Sequence, residues 1–572
     1  MPHHRQHVPD IAEICRLRGV VGVVISPGSR NAPLVDAFYR SFGDACLSVV
    51  DERSAAFVAL GIARSRGGPV VLLCSSGTAV LNYAPALAEA RYQEVPILAI
   101  TADRPASWID QQDNQTIRQA GVFDNFVKRS LTLPAATSSE DDLWFAQRAI
   151  NEAVNECTEA PAGPVHVNVP LEEPLYAPLP PVSARLRLMP ALRGIGGGKL
   201  AASLAEEWME ARSILVVHGQ DRAPSPSAEP LLRLARDKRV AVIAEDIANV
   251  GGPGIVANPE LLLARVDPPP PPDLLLYSGG HVVSKRLKAY LRPASLRGGW
   301  RTGYENGIVD TYQQTTKVLR TAPEELYEAL AALSPRGGSD TSGIDADGTN
   351  ADGTSADGYG AAWLDAQVRA RRGRDALLPD LPFSDITAVG AVIAGLPDAS
   401  VLELGNSSTI RNAQLFDPRR GIAVHSNRGV SGIDGSLSAA VGTALTTDRI
   451  VTCILGDLGF LYDSNALWNR ALPPSLRVVV INNRGGAIFG LIGAPLERLP
   501  HRDFIEAHHP VRIEALAEAF GLRYFRAADR ESLAALLPPF FGSGERAAML
   551  EIEIPPEANP GVFRRLMGRE SR

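Results

Sequence analysis

Short apolar runs alternate with longer segments of helical spacing along most of the chain. In the first part, "GVVGVVISPG", "CLSVVDE", "PVVLLCSSG", "VPILAITAD" and "GPVHVNVP" predict buried strands. Between them, "NAPLVDAFYRS", "SAAFVALGIARS", "TAVLNYAPALAEARYQ" and "DLWFAQRAINEAVNEC" carry apolar residues at helical intervals. Strands apolar on both faces, alternating with helices, predict a parallel sheet covered on two sides. The proline-rich "PLEEPLYAPLPPVSA" closes this unit. A weaker repeat follows, with "SILVVHGQ", "RVAVIAED" and "DLLLYSGG" as its strands, and runs into "PRGGSDTSGIDADGTNADGTSADGYG". That stretch has almost nothing to bury, and it predicts a disordered linker separating two cores. From about residue 380, "ASVLELGNSS", "GIAVHSNRG", "IVTCILGD", "LRVVVINN" and "AAMLEIEIP" predict a third open sheet. The expected architecture is α/β with three open parallel-sheet domains: 1–182, 195–334 and 376–572, with a linker over 335–375.

Composition narrows the function classes. A chain of 572 residues exceeds the roughly 250–300 residues that one core sustains. With 45% hydrophobic and 21% charged residues, and no apolar run of membrane-spanning length, a soluble protein without membrane insertion is expected. No apolar export segment is visible near the N-terminus, which predicts a cytoplasmic protein. Cys15, Cys46, Cys74, Cys157 and Cys453 are scattered without a C-x-x-C, so they read as core residues, not as disulfide or zinc ligands. The net charge of −7 argues against a nucleic-acid partner.

The chemistry concentrates where predicted strands end. In an open parallel sheet, ligands bind outside the carboxyl ends of the strands. Asp457 follows one strand directly and Asn483, 26 residues later, follows another. A carboxylate and an amide oxygen suit Mg²⁺, and Gly485-Gly486 would let backbone amides approach a phosphate. Each feature has a plainer reading, with Asp457 capping a helix and Asn482-Asn483 making a turn. Cations gather at the same edges: Arg30, Arg104, Arg411, Arg428 and the pair Lys285-Arg286. Singly each reads as a surface cation, whereas together they suggest substrates carrying several carboxylates. The histidines of "HHRQH" and His508-His509 are expected to be solvated, and "GIGGGK" lacks the spacing of a nicotinamide fingerprint.

The spacing from Gly456-Asp457 to the second asparagine of Asn482-Asn483 is similar to the diphosphate-binding motif of thiamine-dependent enzymes. The resemblance implies thiamine diphosphate held through Mg²⁺, or Mn²⁺, by Asp457, Asn483 and the Gly485 carbonyl. It also implies Glu52, in "SVVDERSAAFVALG", as the carboxyl group that activates the cofactor, although acids favour helix starts whatever their function. Ile433 would prop the bent cofactor. Arg484 departs from the pattern, since relatives often carry a third asparagine there. More specifically, "SPGSRNAPL", "SSGTAVLNYAPALAEA", "TADRP", "DNQTIRQ", "GNSSTIRNAQLF", "NRGVSGIDG" and "GDLGFLYDSNAL" closely resemble the 2-succinyl-5-enolpyruvyl-6-hydroxy-3-cyclohexene-1-carboxylate synthase family of menaquinone biosynthesis. That likeness is good over about residues 20–180 and 380–500. It implies 2-oxoglutarate and isochorismate as substrates, both dicarboxylates. Ser407, Arg411 and Arg428 would hold the succinyl side, and Ser29, Arg30, Arg104, Asn114, Gln115, Lys285 and Arg286 would hold isochorismate or its adduct. Ile488, Phe489 and Ile492 would form an apolar wall. A homodimer or homotetramer with active sites at the subunit interface is implied as well. Another thiamine-dependent 2-oxo acid carboligase or decarboxylase, or a catalytically silent thiamine-fold binding protein, stay open as alternatives.

Overall fold

Among the described residues of the computed structural model, eighteen strands form three six-stranded parallel sheets. It describes residues 3–190, 202–304, 308–333, 358–417, 421–469, 472–486, 503–555 and 557–568. The first sheet contains β1 (Gly22–Ile25), β2 (Cys46–Ser48), β3 (Val70–Cys74), β4 (Ile97–Asp103), β5 (Ser130–Thr132) and β6 (Val165–Pro170). The second contains β7 (Ile214–His218), β8 (Val240–Ala244), β9 (Ile255–Val256), β10 (Leu274–Ser278), β11 (Gly298–Thr302) and β12 (Lys317–Leu319). The third contains β13 (Val401–Leu404), β14 (Ala423–Ser426), β15 (Val451–Gly456), β16 (Leu476–Asn482), β17 (Arg523–Ala527) and β18 (Ala548–Glu553).

The first and third sheets share one strand order. They run β2-β1-β3-β4-β6-β5 and β14-β13-β15-β16-β18-β17, whereas the second runs β12-β11-β10-β7-β8-β9. The central strands β3, β4, β6 and β16 are buried along their whole length, which is why they read as continuous apolar runs. The strands that sequence patterning missed are β5, β9, β11, β12 and β17. Four of these are sheet edges; β5, β12 and most of β17 are only partly covered, and β9 is just two residues long. Strand β11, "GGWRT", is buried but opens with two glycines.

The described chain forms two compact units. One comprises residues 1–195, 427–451 and 459–476, and the other 196–426, 452–458 and 477–572. In the second unit, the expected separation into two cores does not hold. Leu261 and Leu262 beside the second sheet and Leu402, Ile454 and Val479 of the third belong to one continuous apolar cluster. The physical reason is the helix Tyr359–Leu377, whose Trp363, Ala366 and Ala370 are buried in that cluster. The helix begins inside the stretch expected to be a linker, where Ala-Asp-Gly repeats give way to apolar residues at helical spacing. Residues 334–357 and "GIGGGK" lie outside the described residues.

In the first unit, the helix Glu52–Arg66 crosses the helix Ser436–Ala444 with backbone against backbone. A Cβ on Gly61 would lie 2.1 Å from the Ala439 carbonyl oxygen, and one on Gly442 would lie 2.2 Å from that of Val58. Larger residues would force the helices apart. All five cysteines are unpaired, and four of them are buried. Among the described residues, no single helix is long and apolar enough to cross a membrane.

Candidate active site

In the first unit, the predicted residues gather at the carboxyl edge of the first sheet. Ser29 and Arg30 follow β1 in a loop that approaches the one after β3 so closely that a Cβ on Gly28 would lie 2.4 Å from Ser75 Cβ. Arg30 is buried, donates to the Leu171 carbonyl at 3.0 Å and pairs with Glu173 at 3.0 Å. Ser29 Oγ is 3.1 Å from Tyr176 Oη. Arg104, just past β4, pairs with Asp113 at 2.8 Å and donates to the Asn114 carbonyl at 3.3 Å. Gln115 adopts a left-handed backbone, φ 51°, and accepts a hydrogen bond from Ser76 Oγ at 2.8 Å. Buried Gln119 ties this edge together, donating to the Ala102 carbonyl, Thr101 Oγ1 and Asn168 Oδ1 and accepting from the Gly77 amide.

Glu52 is the first residue of its helix, but it does not cap it. Asp51 is the cap, its carboxylate accepting from the Ser54 amide at 3.0 Å. Half-buried Glu52 is therefore not needed as the helix cap, but it sits in the first turn, where the plainer reading of an acid favoured at a helix start still applies. The Glu52 charge adds to burial in raising the Cys74 thiol and Tyr83 hydroxyl above their ordinary ranges. Two flanking contacts pin residues 459–476 to this helix start. Asn465 donates to Asp51 at 2.6 Å, and Arg53 donates to the Tyr462 carbonyl at 2.7 Å while its guanidinium lies 4.8 Å from the Tyr462 ring centre.

The second unit holds the acid and amide pair. Asp457 follows β15 and begins the helix Asp457–Asp463; Asn483 follows β16. Both are buried. Asp457 accepts from the Gly485 amide at 2.9 Å, from the Leu458 amide at 2.7 Å, and lies 3.2 Å from His509 Nε2. Burial still raises its carboxyl above the usual range. Asn483 donates to Asp385 at 3.0 Å, at the first turn of the helix Asp385–Gly395. Its carbonyl oxygen is buried without a partner among the described residues. Burial pushes Asp385 up to about 6. An unpartnered buried amide oxygen beside a buried carboxylate is the donor set a hard divalent cation takes, so these residues fit a bound Mg²⁺.

The glycine turn differs from expectation. The Gly485 amide is spent on Asp457 and the Gly486 amide on the Glu506 carbonyl at 2.6 Å, so neither is left for a phosphate. Gly485 is required for another reason: its φ is +152°, and a Cβ would lie 2.6 Å from the Glu506 carbonyl oxygen. The expectation of solvated histidines also fails at His7, which is completely buried, and at His509, whose side chain is 10% exposed and faces Asp457. A histidine pair with no local carboxylate spacing gave no sign of this, because its partner lies 52 residues away. Asp385 gave no sign either.

Ser407 and Arg411 lie beyond β13, with Ser407 left-handed at φ 70° and at the N-cap of the helix Ser408–Ala413. Lys285 and Arg286 open the helix Lys285–Leu291. Glu245 fixes that start by accepting from the Val283 and Ser284 amides at 2.5 and 2.7 Å, and Glu260 accepts from the Arg286 amide at 3.0 Å. Arg428 and half-buried Ile433 belong to the first unit, between β14 and the helix Ser436–Ala444. Ile488, Phe489 and Ile492 lie outside the described residues.

Residues 8–122 match the family described as thiamine pyrophosphate enzyme, N-terminal TPP binding domain. Residues 404–552 match thiamine pyrophosphate enzyme, C-terminal TPP binding domain. Fold and site thus define a thiamine diphosphate enzyme. The chain is 40% identical over 560 residues to 2-succinyl-5-enolpyruvyl-6-hydroxy-3-cyclohexene-1-carboxylate synthase of Desulfotalea psychrophila, covering 96% of this chain and 99% of that one. It is 35% identical to the enzyme of the same name from Phocaeicola vulgatus, covering 96% and 95%, and 35% identical to that from Bacteroides thetaiotaomicron, covering 94% and 93%. The chain belongs to the 2-succinyl-5-enolpyruvyl-6-hydroxy-3-cyclohexene-1-carboxylate synthase family.

Proposed function

We propose that this chain catalyses the thiamine diphosphate-dependent decarboxylation of 2-oxoglutarate and the 1,4-addition of the succinyl carbanion equivalent to isochorismate. The product is 2-succinyl-5-enolpyruvyl-6-hydroxy-3-cyclohexene-1-carboxylate, an intermediate of menaquinone biosynthesis in the cytoplasm. The observation that carries this reading is the buried Asn483 oxygen, without a partner among the described residues, two positions before Gly485, whose amide donates to buried Asp457, in a chain that matches the named synthases over nearly its whole length.

When bound, thiamine diphosphate supplies the electron sink for the carbon that CO₂ leaves. Asp457, Asn483 and the Gly485 carbonyl would hold Mg²⁺, or Mn²⁺, and through it the diphosphate. Glu52 would hold a proton at its carboxyl group for the cofactor's pyrimidine, and Ile433 would support the cofactor, as in the thiamine enzymes this chain resembles. Ser407, Arg411 and Arg428 take the succinyl carboxylate. Ser29, Arg30, Arg104, Asn114, Gln115, Lys285 and Arg286 take isochorismate, whose carboxylates suit the bidentate fork of arginine. Glu173 and Asp113 pair with Arg30 and Arg104, and substrate carboxylates would compete with these protein carboxylates there. Ile488, Phe489 and Ile492 exclude water from the reacting carbon. The active enzyme is a homodimer or homotetramer, with each site completed at the interface between two copies.

The test is CO₂ release from 2-oxoglutarate with thiamine diphosphate and Mg²⁺, with and without isochorismate, together with mass detection of the adduct. Release stimulated by isochorismate, with adduct formed, is the expected result. Turnover of pyruvate in preference to 2-oxoglutarate would place the chain with other carboligases, and cofactor binding without CO₂ release would make it a silent binding protein.

A further inference from the structure

Glu89 is a buried carboxylate that the proposed chemistry does not use. It lies in the helix Ala84–Gln93, is 1% exposed, and has no lysine or arginine paired with it among the described residues. Burying a charge without a counter-ion is costly unless hydrogen bonds replace its lost hydration. Glu89 recovers them from one place: Oε1 accepts from the Gly429 amide at 2.6 Å and Oε2 from the Val430 amide at 2.7 Å. Gln93 Nε2 is its remaining donor, on Oε1. Two consecutive backbone amides gripped by the two oxygens of one carboxylate are strong, charge-assisted bonds. Gly429 is what lets the loop come this near, since a Cβ there would lie 2.7 Å from the Glu89 carbonyl oxygen.

The gripped segment connects β14 to the helix Ser436–Ala444, and it carries Arg428 immediately before the clamp and Ile433 shortly after it. We infer that Glu89 is a positioning residue: its carboxylate fixes the 428–433 loop and thereby sets Arg428 for the 2-oxoglutarate carboxylate and Ile433 for the cofactor. This rests on the substrate and cofactor roles proposed above for those two residues. Glu89 itself touches neither substrate nor cofactor. Its charge matters because only a carboxylate can accept both amides; glutamine of the same size offers one acceptor and sets an NH₂ against the other N–H.

The experiment compares Glu89→Gln, Glu89→Asp and Gly429→Ala with the wild-type full-length enzyme, measuring KM for each substrate, kcat, the thiamine diphosphate dissociation constant with Mg²⁺, and thermal stability. The expected result for Glu89→Gln is a rise of about tenfold in KM for 2-oxoglutarate and a weaker cofactor, the scale of losing one charged hydrogen bond, with KM for isochorismate within about twofold of wild type. Glu89→Asp keeps the charge but retracts it by one methylene, and it should fall between the two. Gly429→Ala disturbs the same contact from the loop side and should reproduce the split, which keeps the test decisive if Glu89→Gln does not fold. If a folded variant loses stability or active fraction with both KM values unchanged, or raises both equally, Glu89 is a structural acceptor only and the inference is overturned. Arg428→Ala measured alongside separates the two levels. An unchanged KM for 2-oxoglutarate in Arg428→Ala overturns the role of Arg428, while a raised value there with no effect at Glu89 overturns the clamp alone.

Discussion

Asn483 donates its side-chain NH₂ to Asp385 at 3.0 Å, and that bond decides which way the amide is used. A carboxylate can only accept, so the amide must turn its NH₂ toward Asp385, and its carbonyl oxygen is left buried with no partner among the described residues. Asp385 would thus orient Asn483, a proposed metal ligand. Asp457→Ala, which removes a proposed ligand, is expected to abolish the Mg²⁺-dependent thermal shift produced by thiamine diphosphate. Asp385→Ala should retain a shift but require about 10–100-fold more Mg²⁺, the usual cost of losing an outer partner of a metal ligand. Equal Mg²⁺ requirements in Asp385→Ala and wild type would remove Asp385 from this role.

Gly485 is expected to tolerate no side chain. Its φ of +152° is strained for any L-residue, and the Glu506 carbonyl oxygen stands 2.6 Å from where a Cβ would sit. The obstructing atom is backbone, which cannot swing aside as a flexible side chain would. Gly485→Ala should cost more than about 1 kcal/mol of stability, and it should weaken Mg²⁺-supported cofactor binding because the Gly485 amide also holds Asp457. Chemical denaturation paired with cofactor titration checks both effects, and an alanine variant that binds the cofactor like wild type contradicts the turn's role.

The two sets of arginines make separable predictions. Arg411→Ala should raise KM for 2-oxoglutarate by about 10–100-fold, the scale of a lost charged pair, and leave KM for isochorismate near wild type. Arg30→Ala should do the opposite. Steady-state kinetics with each substrate varied in turn reads the split, and a common effect of both variants on one substrate would sink the assignment of the two carboxylate sites. Arg30 carries an added cost, because it donates to the Leu171 carbonyl and anchors Glu173.

How much of this was legible in the sequence follows from what each feature depends on. The central strands were readable because both faces are buried, which writes a continuous apolar run. Strands β5, β12 and β17 were not, since edge strands are half exposed and their residues obey no single pattern. Asp457, Asn483 and Glu52 were readable as candidates because each lies just after a predicted strand, where residues at fixed spacings can be compared with a known motif. Asp385 and His509 reach Asn483 and Asp457 from 98 and 52 residues away, and pairing at that range leaves no periodicity. The common core of the second and third sheets was hidden for a similar reason: a low-complexity stretch announces a boundary in sequence, but the helix after it packs against both sides.

Asp463 predicts a pH dependence of stability. It is completely buried, accepts from the Ser438 amide at 2.7 Å and from Ser438 Oγ at 2.6 Å, and burial pushes its carboxyl from 3.8 up to about 7. A raised value in the folded state means that folding favours the protonated acid. Its contribution is complete below about pH 4 and is lost as pH rises through about 7. Asp463→Asn removes this titration while keeping an acceptor for the amide. The melting temperature of the variant relative to wild type should therefore climb between pH 5 and pH 8, and parallel profiles would show that Asp463 does not titrate in that window.

The remaining prediction concerns which copy supplies Glu52. Glu52→Gln is expected to fold normally, with Asp51 still capping the helix, and to lose most carboligation. Asp457→Ala is expected to be inactive for the separate reason that it cannot hold the metal. If Glu52 of one copy serves the Asp457 half-site of another, a mixed dimer of the two variants contains one site with both residues intact and one with neither. Random reassociation makes half the dimers mixed, so activity should return to about a quarter of wild type. If each chain completes its own site, every site in every dimer lacks one residue and mixing restores nothing. Activity after co-refolding equal amounts of the two variants, compared with each refolded alone, decides between these arrangements without any assumption about substrate contacts.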